Sequence, residues 1–176
     1  DRLADLAGLS VEIAGRADCC ICTGGLGPTR DDLTAEAVAI ASGETLKLDE
    51  VALRHIEAYF ENRLRPMPAI NRKQAYFPAG ALRIDNPTGT APGFALRIQR
   101  CWFVFLPGVP SEMKAMFAAV REQLLSRFTL RPARLVTLRS IGIGESAIQQ
   151  CLESLVFPDG VRLGFRAAVD EVQTKL

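Results

Sequence analysis

Residues 19–42 constrain the fold more than any other stretch of the chain. Cys19 to Cys22 is a short apolar run of the kind that forms a buried strand. Thr23-Gly24-Gly25-Leu26-Gly27-Pro28-Thr29-Arg30-Asp31-Asp32-Leu33-Thr34 follows, and Ala35 to Ala41 continues with a helical pattern. The order is strand, glycine-rich loop, paired aspartates, helix. Glycines let backbone N–H groups turn toward an anion, and the helix start adds the positive end of its dipole. Asp31 and Asp32 stand where a phosphate-bound divalent cation is held. A phosphate cradle beside two carboxylates points to chemistry on a nucleotide-like phosphate. Capping of the helix by Asp31 or Thr34 is the alternative that the sequence leaves open.

The chain has 176 residues, enough for one domain of ordinary size and a small second one. Hydrophobic residues make up 48%, so a sizeable core is expected. The 21 basic and 20 acidic side chains leave a net charge of +1, which gives no electrostatic footprint for duplex nucleic acid or an anionic membrane. No apolar run approaches the roughly 20 residues of a membrane-spanning helix. Neither a membrane nor a nucleic acid is expected as partner. Cys19 and Cys22 spell C-x-x-C, but residues three apart in a strand face opposite sides and cannot share a metal. Cys19, Cys20, Cys22 and Cys101 read as small core residues, and the odd count, completed by Cys151, favours a reducing, cytoplasmic compartment. His55 is the sole histidine, which excludes a His-rich metal site and an obvious Ser-His pair. It is expected to face solvent.

Leu3, Leu6, Leu9 and Ile13 repeat at helical spacing ahead of the first strand. A parallel sheet needs a strand before that helix, and none is present, so the chain reads as a fragment lacking N-terminal sequence; the resemblance described below implies that the missing part is a strand, helix and strand. A helix over 34–42 is predicted to stop at Gly43, and Asp49 to cap a helix carrying Leu53, Ile56 and Phe60 on one face. Arg65-Pro66-Met67-Pro68 breaks the pattern. Residues 69–93 look loop-rich, with extended pieces near Tyr76 and Leu82–Ile84. Strands are predicted over 94–98 and 102–106, joined by Gln99-Arg100. A long helix begins near Pro110, with Met113, Met116, Phe117, Val120, Leu124 and Phe128 as its core stripe. Arg131-Pro132 marks a boundary between a domain over 1–131 and a smaller one over 132–176. The tail reads as a strand (135–138), a Gly142-Ile143-Gly144 turn, a helix (145–155), a strand (162–165) and a last strand from Glu171.

Two further loops carry chemistry. Asn86-Pro87-Thr88-Gly89-Thr90-Ala91-Pro92-Gly93 is rich in hydroxyls and small residues. Pro107-Gly108-Val109-Pro110-Ser111-Glu112 again joins a strand end to a helix start. In open α/β sheets ligands bind at the carboxyl ends of strands, which is where the first and third loops fall. Ser111 or Pro110 starting the helix, and Glu112 complementing its dipole, are the simpler readings of the third loop.

With these loops in place the chain resembles the CinA family (competence/damage-inducible protein A), in its molybdopterin-binding-like domain. The matching segments are T-G-G-L-G-P-T-R-D-D-L-T at 23–34, N-R-K-Q-A at 71–75, N-P-T-G-T-A-P-G-F at 86–94 and L-P-G-V-P-S-E-M-K at 106–114. The tail, with G-I-G-E-S at 142–146, looks like the small KH-like domain that follows in the family. The resemblance implies an α/β fold with a doubly wound, mostly parallel sheet and a small α+β C-terminal segment. It implies divalent-metal-dependent hydrolysis of ADP-ribose-type pyrophosphates, linked to pyridine-nucleotide recycling, and homo-oligomeric assembly. The metal is Mg, Mn or Co, held by Asp31 and Asp32. In that scheme Thr23, Gly24, Gly25, Gly27 and Thr29 surround one phosphate, and Asp32 accepts the proton of a bound water. Thr88, Gly89 and Thr90 orient the ribose or second phosphate, Lys73 stabilises the leaving phosphate, and Gly108, Ser111 and Glu112 close the far wall. Two other readings stand beside it: molybdopterin binding or adenylyl transfer with the same loops, and a non-catalytic nucleotide- or RNA-binding module. The last is disfavoured because Glu145 replaces the final glycine of an RNA-binding GxxG loop.

Overall fold

The computed structural model describes residues 2–130 and 133–176, so the expected boundary at Arg131-Pro132 lies outside the described residues. The chain forms two compact units, Asp1–Phe128 and Thr129–Leu176.

In the first unit α1 (Leu3–Arg16) leads into β1 (Cys19–Thr23), and α2 (Thr34–Ser42) follows the glycine loop. Next come β2 (Leu46–Leu48), α3 (Glu50–Glu61), a 3-10 helix (Ala69–Ala75), β3 (Tyr76–Pro78) and β4 (Leu82–Ile84). β5 (Gly93–Ile98), β6 (Cys101–Leu106) and α4 (Pro110–Arg127) complete it. The main sheet has the order β1-β6-β5-β4. β1 and β6 are parallel, whereas β5/β6 and β4/β5 are antiparallel, so the α/β sheet of this chain is mixed. β2 and β3 form a separate antiparallel pair.

Strand alternation divides the core. Phe94, Leu96, Ile98, Cys101, Phe103 and Phe105 face one side, where Ala14 of α1, Val38 of α2 and Ile56 of α3 cover them. Ala95, Val104 and Leu106 face the other, against Met116 and Val120 of α4. The helices therefore cover both faces, as the hydrophobic runs of β5 and β6 require. Phe117 of the expected α4 stripe is 39% exposed. β1 is less buried than its sequence implies. Among the described residues it pairs only with β6, and Ile21 is left exposed. The thiols of Cys19 and Cys22 are nonetheless held above the ordinary value. Burial, with neighbouring Cys20, raises the Cys22 thiol to about 12, and burial also raises Cys101, to about 11.

The expected loop at 69–75 is a 3-10 helix, whose three-residue turn leaves no 3.6-residue period to read. Its buried Asn71 and Gln74 satisfy each other through Asn71 Nδ2, which donates to Gln74 Oε1 at 2.9 Å. The second unit is a three-stranded antiparallel sheet of β7 (Thr137–Ser140), β9 (Glu171–Lys175) and β8 (Gly164–Ala168), in that order, with α5 (Glu145–Leu152). β7 and β8 each start two residues later than expected.

Asp49 caps α3 as predicted, accepting the N–H groups of Val51 and Ala52 at 2.9 Å each. Arg83 of β4 adds a second tie, with Nη1 2.9 Å and 3.0 Å from the two Asp49 oxygens. Partial burial pushes the Asp49 carboxyl up, but the Ala52 N–H and Arg83 outweigh it and hold it below the ordinary carboxylate value. A carboxyl depressed in the folded state stabilises above its unfolded pKa of about 4, and that stabilisation is lost as pH falls through the lower folded value. Asp49→Ala is expected to cost about 1–2 kcal/mol near neutral pH and less at pH 2–3, measured by urea denaturation across that range.

Candidate functional site

The site is built by the register of β1 on β6. Thr23 stands opposite Leu106, and both strands run the same way, so both following loops leave at one edge. Gly24 continues the pairing by donating its N–H to Leu106 O at 2.9 Å. Gly108 then lies against Gly24: a Cβ added there would sit 3.3 Å from the Gly24 Cα. The 86–92 loop joins from the side through Asn86, whose Nδ2 donates to Ala91 O at 2.9 Å and to Glu112 Oε2 at 2.7 Å. Its Oδ1 accepts the N–H groups of Thr88 and Gly89.

These contacts enclose a hollow of about 320 Å³. Gly24, Gly25, Gly27 and Asp32 line it from the first loop, Thr90 from the second, and Gly108 and Glu112 from the third. Leu26, Gln74, Ala91, Pro107 and Val109 complete the wall. Among the described residues, the N–H groups of Gly25, Leu26, Gly27 and Gly108 donate to no protein acceptor, whereas that of Gly24 is committed to Leu106. The hollow thus offers uncommitted backbone donors and two carboxylates, with no Lys or Arg in its wall.

The aspartates do not cap α2, which starts from Leu33 with no side-chain cap. They converge on Thr29. Asp32 Oδ2 accepts the Thr29 N–H at 2.9 Å and lies 2.6 Å from Oγ1, and Asp31 Oδ1 lies 2.5 Å from the same hydroxyl. One hydroxyl proton serves one carboxylate at a time. That hydrogen bond is the main cause holding the exposed Asp31 below the usual carboxylate range, with Lys73 a smaller one. Gly27 is a glycine because Asp32 presses on it: a Cβ would come within 2.4 Å of Asp32 Oδ2.

Lys73 sits behind the loop and outside the hollow. Its ammonium donates to Thr29 O at 3.2 Å and to Asp32 O, and pairs with Glu36 Oε1 at 3.2 Å. All three of its protons have partners, so in this conformation it fastens the aspartate turn and does not reach toward the hollow. Glu36 Oε2 is buried without a partner. Of the remaining expected residues, Thr23 borders a separate apolar hollow with Leu6, Leu9 and Phe103. Thr88 is exposed and bonded to Asn86. Gly89 and Ser111 are outside the wall, Ser111 exposed in the first turn of α4. Sequence reasoning missed Gln74, Glu36 and the Asn86–Glu112 tie. Asn86 stood within a quoted motif, but nothing local signals a partner 26 residues away.

The donor set suits a divalent cation only in company with a phosphate. Mg²⁺ is commonly held by one or two carboxylates together with substrate phosphates. Asp32 borders the hollow and Asp31 adjoins it across Thr29. No group of three His, Cys, Asp or Glu side chains arranged for a metal occurs among the described residues. The residues fit a cation held jointly with a bound phosphate, and do not form a dedicated protein cage.

The chain has relatives among known proteins. The family described as "probable molybdopterin binding domain" matches residues 4–127. A CinA-like protein of Escherichia coli strain SMS-3-5 / SECEC is 46% identical over the whole of this chain, which spans 44% of that relative. The NMN amidohydrolase-like protein YfaY of Escherichia coli K12 is 45% identical, again over the whole chain and 44% of its own length. The crystal structure of the protein CinA with unknown function from Thermoplasma acidophilum superposes with a TM-score of 0.64 at 32% identity, covering 70% of this chain and 72% of that one. The chain spans less than half the length of the curated relatives it matches. No described helix is long and apolar enough to cross a membrane.

If Lys73 is a fastener, Lys73→Met will loosen residues 29–32. Amide exchange at Asp32, whose N–H donates to Thr29 O, is expected to accelerate on the order of ten-fold, matching the loss of about 1.4 kcal/mol of charge-assisted bonding. An unchanged rate would show that the turn holds itself.

Proposed function

The chain belongs to the family of probable molybdopterin binding domains, and on that footing we propose that it carries the phosphate-handling site of a divalent-metal-dependent hydrolase of ADP-ribose-type nucleotide pyrophosphates. The observation that carries this reading is the meeting of three loops around one hollow that offers uncommitted backbone N–H groups beside Asp32. A pyrophosphate entering that hollow meets Asp32 and Glu112 and no basic side chain. Backbone donors orient it but do not offset its charge, so a cation must accompany it. Asp32, with Asp31 beside it, would hold a divalent ion of the Mg, Mn or Co type. When bound, that ion offsets developing negative charge and lowers the pKa of water.

The chain's own residues do the rest. The N–H groups of Gly25, Leu26, Gly27 and Gly108 fix one phosphate. Thr90 supplies a hydroxyl to the second phosphate or the ribose. Asp32 also accepts the proton of the attacking water, its carboxylate held in place by Thr29. Lys73 and Glu36 keep the aspartate turn in register from behind. The word amidohydrolase in the name of YfaY describes a protein more than twice as long, and deamidation is not assigned here.

A second reading is favoured by the family's description: the same loops cradle the phosphate of a molybdopterin. Calorimetry with ADP-ribose and with a pterin phosphate, each with Mg²⁺, distinguishes the two by which ligand binds more tightly.

Asp32→Asn is expected to lower metal-dependent hydrolysis of ADP-ribose by at least about 100-fold, with thermal stability little changed. A variant that hydrolyses at the parent rate would remove Asp32 from the chemistry.

A further inference from the structure

A hollow of about 410 Å³ lies at the other end of the main sheet, lined by Arg97, Arg100, Trp102, Ser126, Arg127 and Phe128, all within the first unit. β6 starts beside it at Cys101 and ends at Leu106, next to the three-loop hollow. α4 starts by the three-loop hollow and ends here with Arg127. Its 18 residues span about 27 Å, so the two spaces are separate places on the molecule.

Three guanidinium groups meet in this hollow. Arg97 is the one exposed residue of β5 and stands in register with Trp102 of β6. Arg100 lies in the turn that joins those strands, and Arg127 in the last turn of α4. Arg127 has a role that needs no ligand. A cation there complements the helix dipole, and its guanidinium carbon lies 3.8 Å from the centroid of the Trp102 ring. That role does not extend to Arg97 or Arg100. No acidic side chain lines the hollow. Among the described residues, only Arg100 of the three has an acidic partner, with Nη2 3.0 Å from Asp18 Oδ1. Like charges gathered around one space repel, and salt only screens them.

Each guanidinium is fastened at one point and keeps donors to spare. Arg97 Nε donates to Gln99 O at 3.0 Å, which leaves its two terminal amino groups. Arg100 spends one terminal nitrogen on Asp18. Arg127 is held by the face of the ring. Side chains held in this way have less freedom to lose when an anion arrives, and their forked N–H groups match the oxygens of a phosphate.

We propose that this hollow is a metal-independent anion site that takes the terminal phosphate of a small phosphomonoester. Such a group carries a charge of about −1.5 to −2 near neutral pH and three strong acceptor oxygens. It therefore suits three converging guanidinium groups better than the single charge of a phosphodiester. The proposal stands apart from the reading of the three-loop hollow, which needs a cation to accept an anion.

Trp102 is the sole tryptophan, so its fluorescence reports on this hollow alone. The test is a titration with inorganic phosphate and with phenyl phosphate, in EDTA and at ionic strength held constant with sodium chloride. Amide shifts by NMR are followed in parallel. A saturable fluorescence change is expected, with shifts at residues 97–102 and 126–128 and none at Gly25 or Gly27. Arg97→Gln is expected to weaken binding roughly ten-fold, the loss of one charge-assisted contact, with the melting temperature unchanged. Arg54→Gln, which removes an exposed arginine of α3, is expected to leave binding unchanged. Silence in both fluorescence and amide shifts would overturn the site. So would a response reproduced by chloride alone, or equal weakening by Arg54→Gln, since either shows general charge screening. Tighter binding of an oligonucleotide without a terminal phosphate would overturn the phosphomonoester as ligand.

Discussion

The parallel pairing of β1 with β6 is the constraint from which the site follows. Two parallel neighbours send their carboxyl ends to one edge, so whatever follows Thr23 must meet whatever follows Leu106. The Gly24 N–H to Leu106 O bond extends the ladder one step into the loops, and the approach of Gly108 to Gly24 is its direct consequence. β5 and β6 contribute by burial. Their alternate side chains bind α1–α3 to one face and α4 to the other, which fixes where α2 and α4 begin and hence where the loops end. An antiparallel β1 would have sent the glycine loop to the opposite edge and left the third loop alone.

The electrostatics of the hollow set what it accepts. A wall with two carboxylates and no basic side chain repels a free polyanion, whatever its backbone donors offer. Lys73 does not relieve this, because its three protons are spent on Thr29 O, Asp32 O and Glu36. Its cost is ordering a long side chain; its effect is to hold two aspartates side by side on a turn that their own repulsion would open. The site is therefore shaped for an anion that brings its own counter-charge. That property belongs equally to a nucleotide pyrophosphate and to a pterin phosphate.

Much of this was legible in the sequence where the signal is local. Gly43, Asp49 and Pro110 mark helix ends by short-range rules: α2 stops, and α3 and α4 start, where those rules put them. The convergence of the first and third loops was legible because strand polarity and loop position together imply it, whereas the 86–92 loop joins through Asn86. β5 is the strand antiparallel to β6: the two-residue turn at Gln99-Arg100, with Gln99 at φ 50°, forces that reversal, although the hydrophobic run of a buried antiparallel strand reads like that of a parallel one. The 3-10 helix left no usable period, and so the backbone acceptors of Lys73, 41 and 44 residues away in sequence, were invisible. Capping by Asp31 is what that residue suggests when it is read alone. Thr29, three residues before Asp32, is the group that organises both aspartates, and only its hydrogen bonds reveal it.

The most direct test of the account is whether the three loops answer one ligand as one site. Backbone amide shifts of the labelled protein, followed by NMR as pyrophosphate is added with Mg²⁺, read each loop separately. The account predicts that Gly25, Leu26, Gly27, Thr90 and Gly108 move together along a single binding curve, and that none moves when pyrophosphate is added without the cation. Shifts confined to one loop, or equally large with the cation removed, would contradict it.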